Sequence, residues 1–157
     1  MKTYILNPDN GKPVSIEDWK KDQNPTRANF VLVTLRDGKT RIIPKNHSDR
    51  EMTFQQAEKY TANFQLDGQT GFRSPTRHEF IDLYDAKYTA GLQEALDLVG
   101  GNYMKGWMWT CERDADPRCS TGYAWLFNGG SGLLSYGSFC SSVIAAPLAL
   151  FELGTSE

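Results

Sequence analysis

Three cysteines, Cys111, Cys119 and Cys140, and two histidines, His47 and His78, are the side chains of this sequence best suited to covalent or metal chemistry. A thiolate nucleophile or a zinc site needs partners at recognisable spacings, and these cysteines are odd in number with no C-x-x-C pair. Free thiols, as in a reducing compartment or a virion, are therefore expected, with a Cys111–Cys119 disulfide as the alternative. His78 falls in the first turn of a predicted helix, where it faces solvent, and neither histidine is expected to ligate metal or move a proton. The run Glu112-Arg113-Asp114-Ala115-Asp116-Pro117-Arg118 gathers three acids but lacks the glycine and distal glutamate of a calcium loop, and its two arginines neutralise it. It reads as a solvated loop. No Ser/His/Asp order and no phosphate-cradling glycine loop is present. No catalysis, cofactor or metal is expected.

The remaining side chains of chemical interest are aromatic. Trp107, Trp109 and Trp125 could serve as platforms on which sugars stack, because flat amphipathic rings suit that task. Strand alternation places Trp107 and Trp109 on the same face, so at least two of the three are expected in the core.

Those residues must be positioned by a chain of 157 residues with net charge −2, 39% hydrophobic and 23% charged residues. A chain of this length buries enough surface for a single core, so one domain over residues 1–157 is expected. The near-neutral charge leaves no surplus for neutralising phosphates, which argues against nucleic acid as a partner. No run of residues is apolar enough to span a bilayer, and the start of the sequence lacks the apolar core of a secretory signal. A cytoplasmic or virion location is expected unless a signal has been removed, with no membrane partner.

Residues 1–29 are rich in turn formers, such as Asn7-Pro8-Asp9-Asn10-Gly11 and Asn24-Pro25, with a short strand near Tyr4 to Leu6. From Phe30 to Leu35 a β-rich run meets Arg36-Asp37-Gly38-Lys39 and then Thr40 to Pro44, which predicts a hairpin. Thr53 with Gln56, and Thr76 with Glu79, form capping boxes that open helices from about Thr53 to Phe64 and after Thr76. Leu92, Ala95, Leu96 and Val99 line one face of a third helix, ended by Gly100-Gly101. Beyond Gly101 the period changes to two. Trp107 to Cys111 and Tyr123 to Phe127 read as core strands, Leu133 to Tyr136 as a short return strand, and Ser142 to Phe151 as a last strand with Pro147 at an edge or bulge. The fold class is α+β.

No Asp, Glu, Lys, Arg or His occurs between Arg118 and Glu152, where the overall composition would supply about seven or eight charges. Strands that fill a core explain part of this gap, because burying a charge costs several kcal/mol. Its loops need another account. Residues 120–141 contain five Ser, five Gly, two Tyr, two Phe, one Trp and one Asn. Antibody combining sites use that mixture, in which aromatics give rigid contact area and small polar residues adaptable hydrogen bonds. A buried hairpin with a neutral glycine-rich turn has the same composition.

The run Gly71-Phe72-Arg73-Ser74-Pro75-Thr76-Arg77-His78-Glu79-Phe80, then Trp107-Met108-Trp109-Thr110, Ala124-Trp125-Leu126-Phe127 and Pro147-Leu148-Ala149-Leu150-Phe151, resembles a bacterial and phage family of C-type-lectin-fold domains. Such domains end collagen-like adhesins, and variable proteins of diversity-generating retroelements look like them. The resemblance covers about Phe30 to Phe151, leaving residues 1–29 as an N-terminal segment before a C-type-lectin-like core at 30–151. Phe72, Ser74 and Ala145 depart from the family pattern, which commonly has Trp, Leu and, near the last, Arg. The calcium-binding triplets of sugar-binding relatives are absent, so calcium-dependent sugar recognition is not implied.

These retroelements randomise adenines, and asparagine codons so altered never yield Lys, Glu, Gln, Met or Trp. None of the five occurs from Leu126 to Pro147. The resemblance thus implies a display segment with Asn128, Ser131, Leu133, Ser135, Tyr136, Ser138, Phe139 and Cys140 as ligand-binding residues. The ligand would be a protein or glycan on another cell or particle, and a homo-oligomer is compatible with that role. Two alternatives stay open: a structural subunit of a phage tail, fibre or surface assembly, and a cysteine-dependent enzyme related to formylglycine-generating enzymes, which would depend on Cys140.

Overall fold

The computed structural model describes residues 1–113 and 122–153. It is an α+β structure with two five-stranded sheets. The strands are β1 (Lys2–Leu6), β2 (Pro13–Ser15), β3 (Phe30–Thr34), β4 (Thr40–Pro44), β5 (Glu51–Met52), β6 (Trp107–Arg113), β7 (Tyr123–Asn128), β8 (Leu134–Ser138), β9 (Val143–Ile144) and β10 (Ala149–Phe151). The helices are α1 (Ile16–Trp19), α2 (Phe54–Ala62), α3 (Arg77–Thr89) and α4 (Leu92–Val99), with a short 3-10 turn at Pro25–Arg27. Among the described residues no helix is long and apolar enough to cross a membrane.

The first sheet has the antiparallel order β10-β4-β3-β1-β2, so the first and last strands share it. Its centre is covered on both sides. Ile5, Val31, Val33 and Ile43 pack with α3 and α4, while Phe30, Leu32 and Ile42 meet Phe72 and Ala149. Double coverage explains why Phe30 to Val33 is an unbroken apolar run rather than an alternating one. The Asp37-Gly38 turn joins β3 to β4 with Gly38 at φ +80°, as the hairpin expectation required. Residues 1–29 supply β1 and β2, and Trp19 and Ala28 enter the main core.

The second sheet, β5-β9-β6-β7-β8, carries the charge-free segment. It is antiparallel except where β6 runs parallel to β9. α2 covers one of its faces through Phe54 and Ala57 against Trp109, Ala124 and Leu126. α3 covers part of the other, with Phe80 and Tyr84 packed on Phe127. Both helices begin at the capping boxes read from sequence: Thr53 accepts from the Gln56 N–H, and Thr76 from the Glu79 N–H at 3.1 Å.

Three expectations need correction. The last strand is two strands in different sheets, because the chain crosses from β9 to β10 at Ala145-Ala146-Pro147. Pro147 has no N–H for a ladder, and the crossing is held instead by the Ser48 N–H to the Ala145 carbonyl at 2.8 Å, the Ala145 N–H to Ser48 Oγ at 2.9 Å, and Tyr103 Oη to the Pro147 carbonyl at 2.9 Å. Cys111 is not a core residue. A register shift between Trp109 and Arg113 turns it outward, and its N–H donates to the Pro75 carbonyl at 2.9 Å. Of the three tryptophans only Trp109 is buried, stacked on Phe54 at 5.5 Å with Nε1 donating to the Met52 carbonyl, whereas Trp107 and Trp125 are half-exposed.

The family-like run from Gly71 has a structural task here. Glu79 is 4% exposed, and its carboxylate accepts the Thr76 N–H, both Arg73 Nη groups and Arg41 Nε, the last at 2.7 Å. Arg41 in turn forks onto Asp37, and Arg73 exchanges backbone hydrogen bonds with Leu148. This clasp fixes the start of α3 to the first sheet. Burial works to raise the Glu79 carboxyl, but the bonds from Arg73, Thr76 and Arg41 outweigh it and hold it at about 2.

Candidate functional site

β8 is an edge strand, and its side chains alternate across the sheet. Leu134, Tyr136 and Ser138 project to the side shared with Phe127, Trp125 and Tyr123, their partners on β7. The rings there make a cluster: Tyr136 lies edge-to-face to Trp125 at 5.1 Å and to Tyr123 at 6.3 Å. Tyr136 is 55% exposed, and Tyr123 and Trp125 are half-exposed.

α3 determines where this face opens. It covers the sheet over Phe127 and starts at Arg77, whose guanidinium lies 4.3 Å over the Trp125 ring. Beyond Arg77, among the described residues, no further helix turn covers Tyr123 and Tyr136. Arg77 is itself held by Glu112, which accepts the Arg77 N–H and, at 3.2 Å, Nη2. Partial burial would raise the Glu112 carboxyl, yet the Arg77 N–H and guanidinium draw it below its ordinary value. The result is an aromatic face with the Arg77 guanidinium clamped at its border.

The turn that feeds β8 is equally fixed. Asn128 Oδ1 accepts the Gly130 N–H at 2.9 Å and the Ser131 N–H at 3.1 Å, and the Asn128 carbonyl accepts the Gly132 N–H. Buried Lys87 donates to the Gly129 carbonyl at 2.7 Å, with its ammonium near the rings of Tyr84 and Tyr88. Ammonium and carbonyl tie α3 to the turn in a site partly closed by aromatic faces.

The structure divides the eight residues singled out by sequence into two groups. Ser131, Leu133, Ser135, Tyr136 and Cys140 are exposed, Leu133 by 59%. Asn128, Ser138 and Phe139 are half-buried and bonded into the frame. Asn128 builds the turn, Ser138 Oγ accepts the Cys140 N–H, and Phe139 packs edge-to-face on Phe54 at 4.8 Å. The Phe139 N–H donates to Gly122, and its carbonyl accepts from Phe54. Nor do the exposed residues share one side. Ser135 lies opposite Leu126 and points away from the Tyr136 face.

Sequence reading missed Tyr123, Leu134 and Arg77 as surface residues of this region and left Trp125 open between a stacking platform and the core. Leu134 is 39% exposed and adjoins the Tyr136 face at the Phe127 end. A signal for Tyr123 and Trp125 existed in their shared alternation with Phe127, but whether that face is open depends on where α3 begins.

Cys140 borders a shallow depression of about 280 Å³ with Thr53, Gln55 and Phe139, with no base beside its thiol among the described residues. Partial desolvation pushes the Cys111 thiol up, which makes it a poorer nucleophile. Cys119 and the acidic stretch 114–118 lie outside the described residues, and with them the Cys111–Cys119 pairing. His78 is exposed, while His47 is half-buried with Nδ1 2.6 Å from the Ser48 carbonyl. Among the described residues no three His, Cys, Asp or Glu side chains converge as metal ligands would. A separate groove of about 680 Å³ is lined by Arg50, Met52, Lys59, Tyr60 and Phe64.

Compared with family models and with curated proteins, the sequence finds no match.

Proposed function

We propose that this chain is a C-type-lectin-like recognition domain, in which a fixed platform presents the outer side chains of β8 and its turn to a macromolecular ligand. The observation that carries the proposal is the placement of the charge-free segment. It is spent partly on the core and partly on an edge strand and the turn before it, where Leu133, Leu134, Ser135 and Tyr136 are open to solvent. A Tyr- and Ser-rich strand without charges of its own, on a rigid frame, has little side-chain entropy to lose on binding and few charges nearby to strip of water.

The face favours a protein over a glycan as the ligand. Stacking of a sugar needs a free ring face, yet Trp125 is overlaid by Arg77 and met edge-on by Tyr136, and Trp109 is buried. What remains is a broad aromatic surface with small polar neighbours, the make-up of protein–protein contacts. Adenine-directed diversification fits the same segment: Ser131, Leu133, Ser135 and Tyr136 can vary without touching the core, whereas Phe139 is part of the frame. The proposal makes the chain a binding protein rather than an enzyme.

The test pairs two substitutions. Binding to a panel of intact bacterial cells and to an immobilised glycan array is measured for the parent chain, for Tyr136→Ser with Leu134→Ser, and for Phe139→Ser. The double variant should melt within a few degrees of the parent while cell binding falls at least tenfold. Phe139→Ser should lower the melting temperature. Unchanged cell binding by a stably folded double variant overturns the assignment, and glycan binding that survives it moves the ligand to another surface. A near-copy of the coding segment for residues 126–147, differing at adenines and lying beside a reverse transcriptase gene, would independently support diversification.

A further inference from the structure

Each sheet has two edges, and three of the four are guarded against pairing with another chain. β2 contains Pro13 and follows Lys12. β5 has only two residues, Glu51 among them, and follows Arg50. β10 has three residues, is bridged at its start by Arg73 to Leu148, and runs into Glu152. β8 differs from them all: its five residues, Leu134-Ser135-Tyr136-Gly137-Ser138, include no charge and no proline.

The direction of its backbone groups follows from the register. The Asn128 N–H donates to Leu133, and the Phe139 N–H donates to Gly122, so the pairs 128/133 and 122/139 are the hydrogen-bonded ones. Hydrogen-bonded pairs alternate along an antiparallel ladder, so Ser135 and Gly137 face β7 with their N–H and C=O groups. Leu134, Tyr136 and Ser138 point theirs outward. Among the described residues only the Ser138 carbonyl finds a partner there, the Ser141 N–H at 2.9 Å.

We propose that this edge pairs with β8 of a second copy of the chain, making a two-fold dimer with one sheet continuous across the axis. A second copy fits because the edge is neutral: placed against itself it brings no like charges together. It also fits by symmetry. Antiparallel pairing that uses all five residues centres on Tyr136, sets Tyr136 opposite its own copy and Leu134 opposite Ser138, and pairs the outward groups, with the Ser138 carbonyl, already accepting from Ser141, using its second lone pair. With the axis normal to the sheet, both Tyr123, Trp125 and Tyr136 clusters lie on the same side. The dimer therefore joins two aromatic faces into one. This dimer does not depend on the ligand-binding role, since the edge groups would pair whether or not the face binds anything.

The experiment is sedimentation of the full chain from micromolar to millimolar concentration, with Leu134→Lys and Leu150→Lys, the latter on the β10 edge. The parent should associate to a dimer, Leu134→Lys should weaken it at least tenfold with melting unchanged when both are dilute enough to be monomeric, and Leu150→Lys should leave it intact. A parent that stays monomeric, or a dimer lost in Leu150→Lys but kept in Leu134→Lys, overturns the proposal. Should Leu134→Lys unfold, cross-linking decides. In a chain with Cys111, Cys119 and Cys140 replaced by Ser, Tyr136→Cys should oxidise to a covalent dimer, because paired Cα atoms would lie ~5.5 Å apart. Ser135→Cys, opposite Gly137 of the copy, should not, and equal cross-linking of both variants overturns the register.

Discussion

Glu79 shows how a side chain legible in sequence as a helix cap acquires a second duty from distant partners. Its capping role follows from Thr76-Arg77-His78-Glu79 alone, but Arg41 and Arg73 reach it from other elements. Its ordinary value is 4.5 and its folded value about 2, so the clasp contributes stability above 4.5 that is lost as pH falls through 2. Glu79→Gln keeps the shape and removes the charge. The variant should be less stable than the parent by on the order of 3 kcal/mol at neutral pH, with the difference shrinking as acid protonates the parent. Asp37, held at about 2 by Arg41, titrates in both proteins and largely cancels in the difference. Urea unfolding at stepped pH checks this, and a gap that widens in acid would refute the clasp. Other residues resisted local reading. Trp125 and Phe127 occupy the same side of one strand, yet one is half-exposed and the other buried, because α3 packs over Phe127 and begins at Arg77. Nothing within a few residues of Trp125 encodes the position of that helix end.

Elements with their own start and stop signals were readable, and elements defined by partners were not. The Thr53 and Thr76 capping boxes, the Asp37-Gly38 hairpin and the glycine at the end of α4 are local devices, and each appears where the sequence put it. By contrast β5 has two residues and exists through β9, some ninety positions later, while the split of 142–151 into β9 and β10 depends on Ser48 and Tyr103. The turn between β7 and β8 combines both kinds. Asn128 and the glycines mark it in sequence, but its position is set by Lys87 and by the Gly129 N–H bond to Gly106 at 3.0 Å. A Cβ at Gly129 would fall 2.7 Å from the Met104 carbonyl carbon, whereas one at Gly130 meets only Asn128 Oδ1 at 3.3 Å. Gly129→Ala should therefore cost about 1–3 kcal/mol and Gly130→Ala far less, measured by equilibrium denaturation. Equal effects would mean that the turn is not anchored through Gly129.

At the scale of the molecule the two sheets divide the work, and the N-terminal residues belong to the supporting one. The C-type-lectin-like core proposed above begins near Phe30, which would leave residues 1–29 dispensable if the boundary of the fold lay there. The sheet order contradicts dispensability in energetic terms: β1 lies between β3 and β2, with Ile5 fully buried and Leu6 4% exposed. Its removal would bare one whole edge of β3, whose Val31 and Val33 are fully buried, and would take Trp19 and Ala28 from the core shared with α3 and α4. Burial of a large apolar side chain is worth roughly 1.5–3 kcal/mol, and a domain of this size holds only about 5–15 kcal/mol in total. Losing Ile5, Leu6 and Trp19 together is thus comparable to the entire margin. A chain of residues 30–153 should show no cooperative thermal transition and weak near-ultraviolet dichroism. A sharp melt within a few degrees of the full chain would instead mean that the first sheet closes without β1, and that the fold is complete from Phe30 onward.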